Sequence, residues 1–504
     1  MKIPIQKATS EFHVVFKSVS TFAFSTLLLS SCSVGPDYHR PNAPAPSQWG
    51  EAMDGGETNG PVSVGAWWKN FKDPELDSLI ERAIKSNFDL KIAAARVREA
   101  RAQYRIAASD LWPTVETTAS YERQRQSKHQ PVLGSIPLPP TVPFENNVYQ
   151  AGFDAAWEVD VFGGTRRATE AAKAQVMAAE FSRRDVLVTL LGEVARNYVE
   201  TRGYQKQLSI AHQNIKAQEQ ALEIAQTRFT NGFTSNLDTQ QASTVLAQTK
   251  AQIPTLENSL EASIHRLGTL LGQLPEALVP ELSAVEPIPT TPPGVPVGLR
   301  SELLLRRPDV QVAERELASA TAQIGVAKAD LFPKFSLTGA AGLQSVSASD
   351  WFTGNSKFWS VGPTVQWNIF DAGRIRANIK VQNARQEHAL ANYEKVVLAS
   401  FEDVENALSA YAKEQLRRLS LEDAVKSSQE SLKTANQLYS NGMASFINVL
   451  DAERSLYQAQ DTLVQSERTV STDLIALYKS LGGGWEPEAS ANTMAVAATD
   501  VHKN

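Results

Sequence analysis

Between Arg374 and Asn441 the chain contains neither proline nor glycine, and the run ends at Gly442. Such a stretch is predicted to form one helix of roughly 100 Å at about 1.5 Å per residue. Its apolar residues are spaced alternately four and three apart, at Val397, Phe401, Val404, Leu408 and Tyr411, and Val425, Leu432, Ala435 and Tyr439 carry a seam onward. That spacing describes a helix burying one narrow stripe against a partner. The remaining surface is Gln, Lys, Glu, Ser and Ala, too polar for a solid core. A helix wet on two sides suits the wall of a hollow tube better than a filled bundle.

The same pattern occurs earlier. From Arg166 to Asn231, Leu187, Leu191, Val194 and Tyr198 match Val397, Phe401, Val404 and Leu408 at a constant offset of 210. Ile215, Leu222, Ala225 and Phe229 match the second set, and Gly232 matches Gly442. Beyond the glycines, Leu260, Ile264, Leu267 and Leu271 pair with Val470, Leu474, Leu477 and Leu481. A register held this long marks an internal duplication.

The N-terminus carries an address. Lys2, Lys7 and Lys17 precede an apolar run from Phe22 to Leu29, followed by Leu29-Ser30-Ser31-Cys32. Residues 1–31 read as a secretory signal peptide. The tetrapeptide resembles a bacterial lipobox, which makes Cys32, the chain's one cysteine, the expected lipid anchor. An ordinary signal with an incidental cysteine is the alternative. Ser33 after the cysteine favours, by analogy with bacterial lipoproteins, sorting to the outer membrane. No later stretch offers the ~20 consecutive apolar residues of a spanning helix. The net charge of −6 gives no reason to expect nucleic-acid binding.

After a Pro, Gly and Ser-rich segment at 35–66, read as an extended linker, Leu76–Ile84 is predicted as a short helix and a second runs to about Asp110. Strands follow. Thr114–Tyr121 is rich in Thr, Val and Tyr; across 148–161, Tyr149, Phe153, Trp157, Val159 and Val161 alternate with Gln150, Asp154, Glu158 and Asp160. The second repeat does likewise, with Phe335, Leu337 and Leu343, then Trp359, Val361, Val365, Trp367 and Ile369 on the apolar side. A period of two thus sits between helices. The helix from Asp309 to Asp330 and one from about Phe446 to Leu481 complete that repeat. The expected organisation is a linker at 32–73, a first repeat at 74–272, a Pro-rich linker at 273–298, a second repeat at 299–482 and a disordered tail at 483–504.

The opening Cys32-Ser-Val-Gly-Pro-Asp-Tyr-His-Arg-Pro41, then Trp67-Trp68 with Phe71, Asp73-Pro74 and Leu76, resembles that of outer-membrane efflux lipoproteins, the TolC-like, NodT-type exit ducts of resistance-nodulation-division (RND) pumps. The resemblance is renewed at Leu304-Leu-Arg-Arg-Pro-Asp309 and covers nearly the whole mature chain. It implies a mainly α fold with a transmembrane β part: a trimeric α-barrel joined to a β-barrel. Geometry agrees. Four strands cannot close a barrel in lipid; a dimer's eight would leave a lumen filled with side chains, whereas a homotrimer's twelve leave a pore. Tyr149, Phe153, Trp157, Trp359 and Trp367 then face lipid, and the acids face water.

No enzyme signature survives inspection. The seven histidines form no i,i+4 pair and no HExxH, no phosphate-cradling glycine loop occurs, and Glu158 with Asp160 read as lumen lining rather than a catalytic pair. No catalytic, cofactor or metal site is expected, only covalent lipid on Cys32. The turns carry more. Arg228-Phe-Thr-Asn231-Gly232-Phe-Thr-Ser235 and Leu438-Tyr-Ser-Asn441-Gly442-Met-Ala-Ser445 are alike beyond the needs of an αL helix stop. The resemblance implies that these tips dock a periplasmic adaptor (membrane fusion protein) and, through it, an inner-membrane RND pump. It also implies a periplasmic gate ring near them: Asp451 and Asp238 as the acids, Tyr439 and Leu450 as closing contacts, and Asn448 where some relatives carry a second acid. Both acids also suit a helix N-terminus through its dipole. The function implied is a passive outer-membrane exit duct for drugs or other small toxic compounds, with a long periplasmic extension. The alternatives are a type I secretion channel and a lipid-anchored periplasmic coiled-coil scaffold; the scaffold leaves the amphipathic strands unexplained.

Overall fold

The structure is a computed structural model that describes residues 33–42, 57–58, 65–125, 127, 144–291, 295–296 and 305–485. The signal peptide, Cys32 and the chain beyond residue 485 lie outside those residues. The elements in order are β1 (Glu57–Thr58), α1 (Pro74–Ser86), α2 (Phe88–Ser109), β2 (Thr114–Arg125), β3 (Glu145–Val159), α3 (Gly164–Thr230), α4 (Asn236–Leu270), β4 (Val295–Pro296), α5 (Pro308–Ala329), β5 (Lys334–Ser345), β6 (Lys357–Gln366), α6 (Arg374–Ser440) and α7 (Phe446–Ser480). Short 3-10 turns lie at Trp67–Phe71, Pro275–Leu278 and Gly354–Ser356. The long helices α3 and α6 are 67 residues each, and α4 and α7 are 35 each. The duplication predicted from the seams therefore extends to helix length.

Contacts divide the chain into two compact units, each assembled from both repeats rather than from one. The first comprises residues up to Arg40, Arg98–Met177 and Arg315–Ala391. It holds a four-stranded sheet in the order β2-β3-β5-β6. Every pairing is antiparallel, so each repeat's hairpin lies beside the other's. Pro363, which has no N–H to give, sits on the edge strand β6, where such a residue is tolerated.

The segment Ser33–Arg40, read from sequence as the start of an extended linker, is bound to this unit. Val34 donates its N–H to the Phe162 carbonyl at 3.0 Å, and the buried Arg167 reaches Asp37 at 2.6 Å and Glu170 at 2.8 Å. Gly35 lies against Gly325 so closely that a Cβ on it would come within 2.5 Å of the Gly325 Cα. Two glycines let the backbones touch, a requirement that composition does not reveal.

The second unit comprises Pro41–Val97, Ala178–Glu314 and Asn392 onward. The first part of the predicted α6 seam is buried, with Val397, Phe401, Val404, Leu408 and Tyr411 each at most 9% exposed; farther on, Val425, Leu432 and Ala435 are half-buried and Tyr439 is buried. In α3 the expectation of two wet sides fails between Val188 and Gln207. There Val188, Leu190, Val194, Asn197, Tyr198, Val199 and Thr201, which together span more than half of the helix circumference, are all buried. Segments from outside the repeats and from α4 pack around it. The Tyr198 hydroxyl donates to Asp73 at 2.9 Å, Thr201 shares a hydrogen bond with Ser263 at 2.8 Å, and Arg202 and Gln205 donate to the carbonyls of Ala284 and Leu282 at 2.9 and 2.6 Å. Trp67 stacks on Tyr478 with ring centres 5.2 Å apart.

The Pro-rich linker is thus part of this packing through Leu278 and Leu282. The tail also begins later than predicted. Trp485 donates its indole N–H to the Arg306 carbonyl at 3.1 Å and lies under the Arg184 guanidinium at 4.4 Å, so residues 483–485 belong to the fold. The Arg-Arg-Pro-Asp motif acquires a structural reason. Arg307 grips Asp309 with two N–H groups at 3.0 and 2.7 Å, Asp403 at 2.9 Å, and the carbonyls of Ser400 and Ser480. Only a planar guanidinium presents donors in such a fork.

Candidate functional site

Two places gather the residues singled out in the sequence: the sheet in the first unit and the helical turns in the second.

In an antiparallel ladder, directly paired residues share a face. Tyr149, Phe153 and Trp157 pair with Ser345, Ala341 and Leu337, and Ala341 pairs with Trp359. Tyr149, Phe153, Trp157 and Trp359 therefore lie on one face of the sheet, joined by Val115, Val361 and Val365. Phe153 is 63% and Trp359 78% exposed in the single chain. The other face carries Gln150, Asp154 and Glu158, with the Thr118 hydroxyl donating to Asp154 at 2.9 Å. Two sequence assignments need correction. Trp367 lies beyond the end of β6 at Gln366, because the chain turns there toward Asp371, which caps α6 by accepting from the N–H groups of Gly373 and Ile375. Asp160 likewise follows β3 and is engaged by Arg166, at 2.8 Å from its N–H and 3.2 Å from its Nε. Both Trp157 and Trp367 donate an indole N–H to a backbone carbonyl, of Leu111 and Leu331, at 3.0 Å each.

The two turns have one geometry. Gly232 has φ of 77° and Gly442 of 72°; each long helix closes with the N–H of the following residue, Phe233 or Met443, on the carbonyl of Arg228 or Leu438 at 2.9 Å. This is the Schellman arrangement that a left-handed glycine permits. Nothing lies within 4 Å of a Cβ built on either glycine, so the backbone angle alone requires the residue. Asn231 turns its side-chain amide back to the Thr227 carbonyl, and Asn441 donates its N–H to Gln437. Ser235 caps α4 by accepting from the Leu237 N–H, whereas Ser445 makes no side-chain cap and accepts the Asn448 N–H on its carbonyl instead.

Between the turns lies a small core of Ala225, Ala242, Tyr439, Phe446, Val449 and Leu450. The Arg228 guanidinium covers the Tyr439 ring at 4.6 Å, and the Phe446 ring packs against it at 5.2 Å. Tyr439 and Leu450, expected as closing contacts of a gate, are thus enclosed by their own chain. The Tyr439 hydroxyl is buried with no hydrogen-bond partner. Burial pushes its pKa up, and the Arg228 charge opposes that shift.

Asp238 is half-buried and accepts from the Thr234 hydroxyl at the start of α4. Asp451 is exposed and paired with Arg454, one turn on, at 3.0 Å. Sequence reasoning missed Arg454, although an i,i+3 acid–base pair is readable there. It also missed Glu453, buried on the same helix with one carboxylate oxygen lacking any partner. Burial alone pushes its carboxyl up to about 7. Among the described residues no group of His, Cys, Asp and Glu is arranged to hold a metal ion, and no helix is long and apolar enough to cross a membrane.

The family described as outer membrane efflux protein matches residues 79–273 and 299–483. The solvent efflux pump outer membrane protein SrpC of Pseudomonas putida is 34% identical over 93% of this chain and 98% of its own. The probable outer membrane lipoprotein SilC of Salmonella typhimurium is 32% identical over 94% and 99%. Among solved structures, the outer-membrane channel OprN superposes with a TM-score of 0.84 at 36% identity, covering 90% of this chain and all of that one.

Proposed function

The chain belongs to the outer membrane efflux protein family, and from that premise we propose the assembly and the residues through which it works. It is an outer-membrane exit duct in efflux. Three copies join their sheets into one twelve-stranded barrel. The observation that carries this reading is the sheet itself. Among the described residues its edge strands β2 and β6 have no partner on their outer sides and, after three antiparallel pairings, they run in opposite directions. The β6 edge of one copy can therefore continue, antiparallel, into the β2 edge of the next. Open edges are not tolerated in lipid, and closure removes them. The aromatic face of Tyr149, Phe153, Trp157 and Trp359 meets lipid, while Asp154 and Glu158 line water.

Cys32 carries the lipid, as the name of the SilC relative suggests for that protein. The helical residues stand in the periplasm, where the turns at Arg228–Ser235 and Leu438–Ser445 dock a periplasmic adaptor bound to an inner-membrane RND pump. Energy comes from that pump, and the duct itself is passive. Three copies of Asp451 form the periplasmic constriction. Arg454 tempers their charge, but an exposed pair is worth only about 0–1 kcal/mol, so the acids stay available to passing cations. Asp238, tied to Thr234, secures the first turn, and Tyr439 and Leu450 hold the second in place.

Native mass spectrometry in detergent should give a trimer, and planar bilayers should show single-channel conductance. A monomer without current would overturn the assembly. Asp451→Ala should weaken cation selectivity; unchanged reversal potentials in a salt gradient would move the constriction elsewhere.

A further inference from the structure

The duplication identifies what fills a groove that one chain leaves open. Along the last turns of α6 and the start of α7 lies a cavity of about 500 Å³, lined by Ser431, Thr434, Ala435, Leu438, Ala444 and Asn448 among others. Moved back by the offset of 210, Ser431, Ala435, Leu438 and Asn448 become Ala221, Ala225, Arg228 and Asp238. Those four residues surround Tyr439. Ala225 shares its buried cluster and Ala221 packs on it, Arg228 covers its ring, and the Asp238 charge acts on its hydroxyl. In the first repeat, then, the same surface is occupied by an aromatic side chain three residues before a turn glycine. The second repeat's version of that surface is unfilled.

The matching aromatic is Phe229, three residues before Gly232. Its ring is 42% exposed, whereas Tyr439 is 7% exposed. We propose that Phe229 of one copy seats in the groove of Ala435, Leu438 and Asn448 on the next, repeating between chains the contact that Tyr439 makes within one. This rests on the trimeric reading above. The groove suits Phe better than Tyr: Leu438 replaces the Arg228 cation, and no buried hydroxyl is left unpaired. Around it the seam between copies is more polar than the seam within one, because Phe446, Val449 and Leu450 have Asn236, Thr239 and Gln240 as counterparts.

The test co-expresses two differently tagged full-length chains, one Phe229→Cys and the other Ala435→Cys, and oxidises the detergent-extracted protein. A disulfide-linked species bearing both tags, lost on reduction and absent when either chain is made alone, is the expected result. Neither substitution removes a fully buried side chain, so folding is preserved, and native mass spectrometry reports the trimer independently. A trimer without the mixed disulfide overturns the seating of Phe229 and leaves the trimer standing. Absence of a trimer overturns both.

Discussion

The long helices α3 and α6 have the same length and the same seam, yet different surroundings. Val188 in α3 is 4% exposed; its counterpart Leu398 in α6 is 65% exposed. Val199 is fully buried, whereas its counterpart Ser409 is half-buried. The seam was copied with the duplication, but what covers the flank beside it was not. The cover at α3 comes from Asp73 in the N-terminal segment, Ser263 in α4, and Leu282 and Ala284 in the linker between repeats. A duplicated sequence therefore specifies the seam of each helix and leaves the flank beside it to contacts that differ between the repeats.

The largest expected break in the comparison follows from that. Val199→Asp should lower stability by at least about 3 kcal/mol, because it places a carboxylate where the side chain is fully buried, while Ser409→Asp should stay within about 0.5 kcal/mol. Thermal unfolding midpoints in detergent would decide it; equal losses would mean that the cover contributes no enclosure.

Next is a group on α7 without a repeat counterpart. Glu453 corresponds to the exposed Ser243, and its carboxyl is raised from 4.5 to about 7. A folded-state pKa above the unfolded one means that the native state binds the proton more tightly. Stability should therefore fall as pH rises from about 4.5 to about 7 and level off above, by up to about 3 kcal/mol at 1.36 kcal/mol per unit. Glu453→Gln should be more stable than the parent at pH 8 and nearly equal at pH 5. A pH-independent difference between the two would show that burial at Glu453 is not what stability senses.

Where the repeats agree, the effects should agree. Trp157→Phe and Trp367→Phe each remove one indole-to-carbonyl hydrogen bond and should each cost about 1 kcal/mol. A clear difference would mean that only one hairpin base is held this way. The finest test is at the turns. Gly232→Ala and Gly442→Ala should each cost about 1–2 kcal/mol through the left-handed backbone alone, with nothing nearby to clash. A gap above about 0.5 kcal/mol between them would expose an asymmetry that the matched geometry hides.

What could be read from the sequence was what repeats locally. The four-three spacing placed Val397 to Tyr411, the alternation placed Tyr149 to Trp157 on one face, and Asn-Gly placed both turns, because each depends on residues a few positions apart. The cover of α3 could not be read in this way. Arg202 and Gln205 made α3 look wet, although each is buried and donates to a linker carbonyl, of Ala284 and Leu282, some eighty residues on. The candidate gate was legible in composition but not in orientation. Asp451 is exposed, whereas Tyr439 and Leu450 face their own chain, a choice made by the packing of Phe446 and Arg228.

The stack of Trp67 on Tyr478 also has a consequence in time. Asn70 donates to the Tyr478 hydroxyl across 408 residues of chain. Synthesis delivers the first partner long before the second, and closing so long a loop must precede any gain from the contact. Until Tyr478 and Trp485 arrive, the Trp67 ring and the Arg184 guanidinium lack their partners, although Asp73, Ser263, Leu282 and Ala284 can already cover the middle of α3. Docking of the C-terminal end is therefore a late folding event, and truncation just before Trp485 should leave the Arg184 guanidinium and the Arg306 carbonyl without that contact.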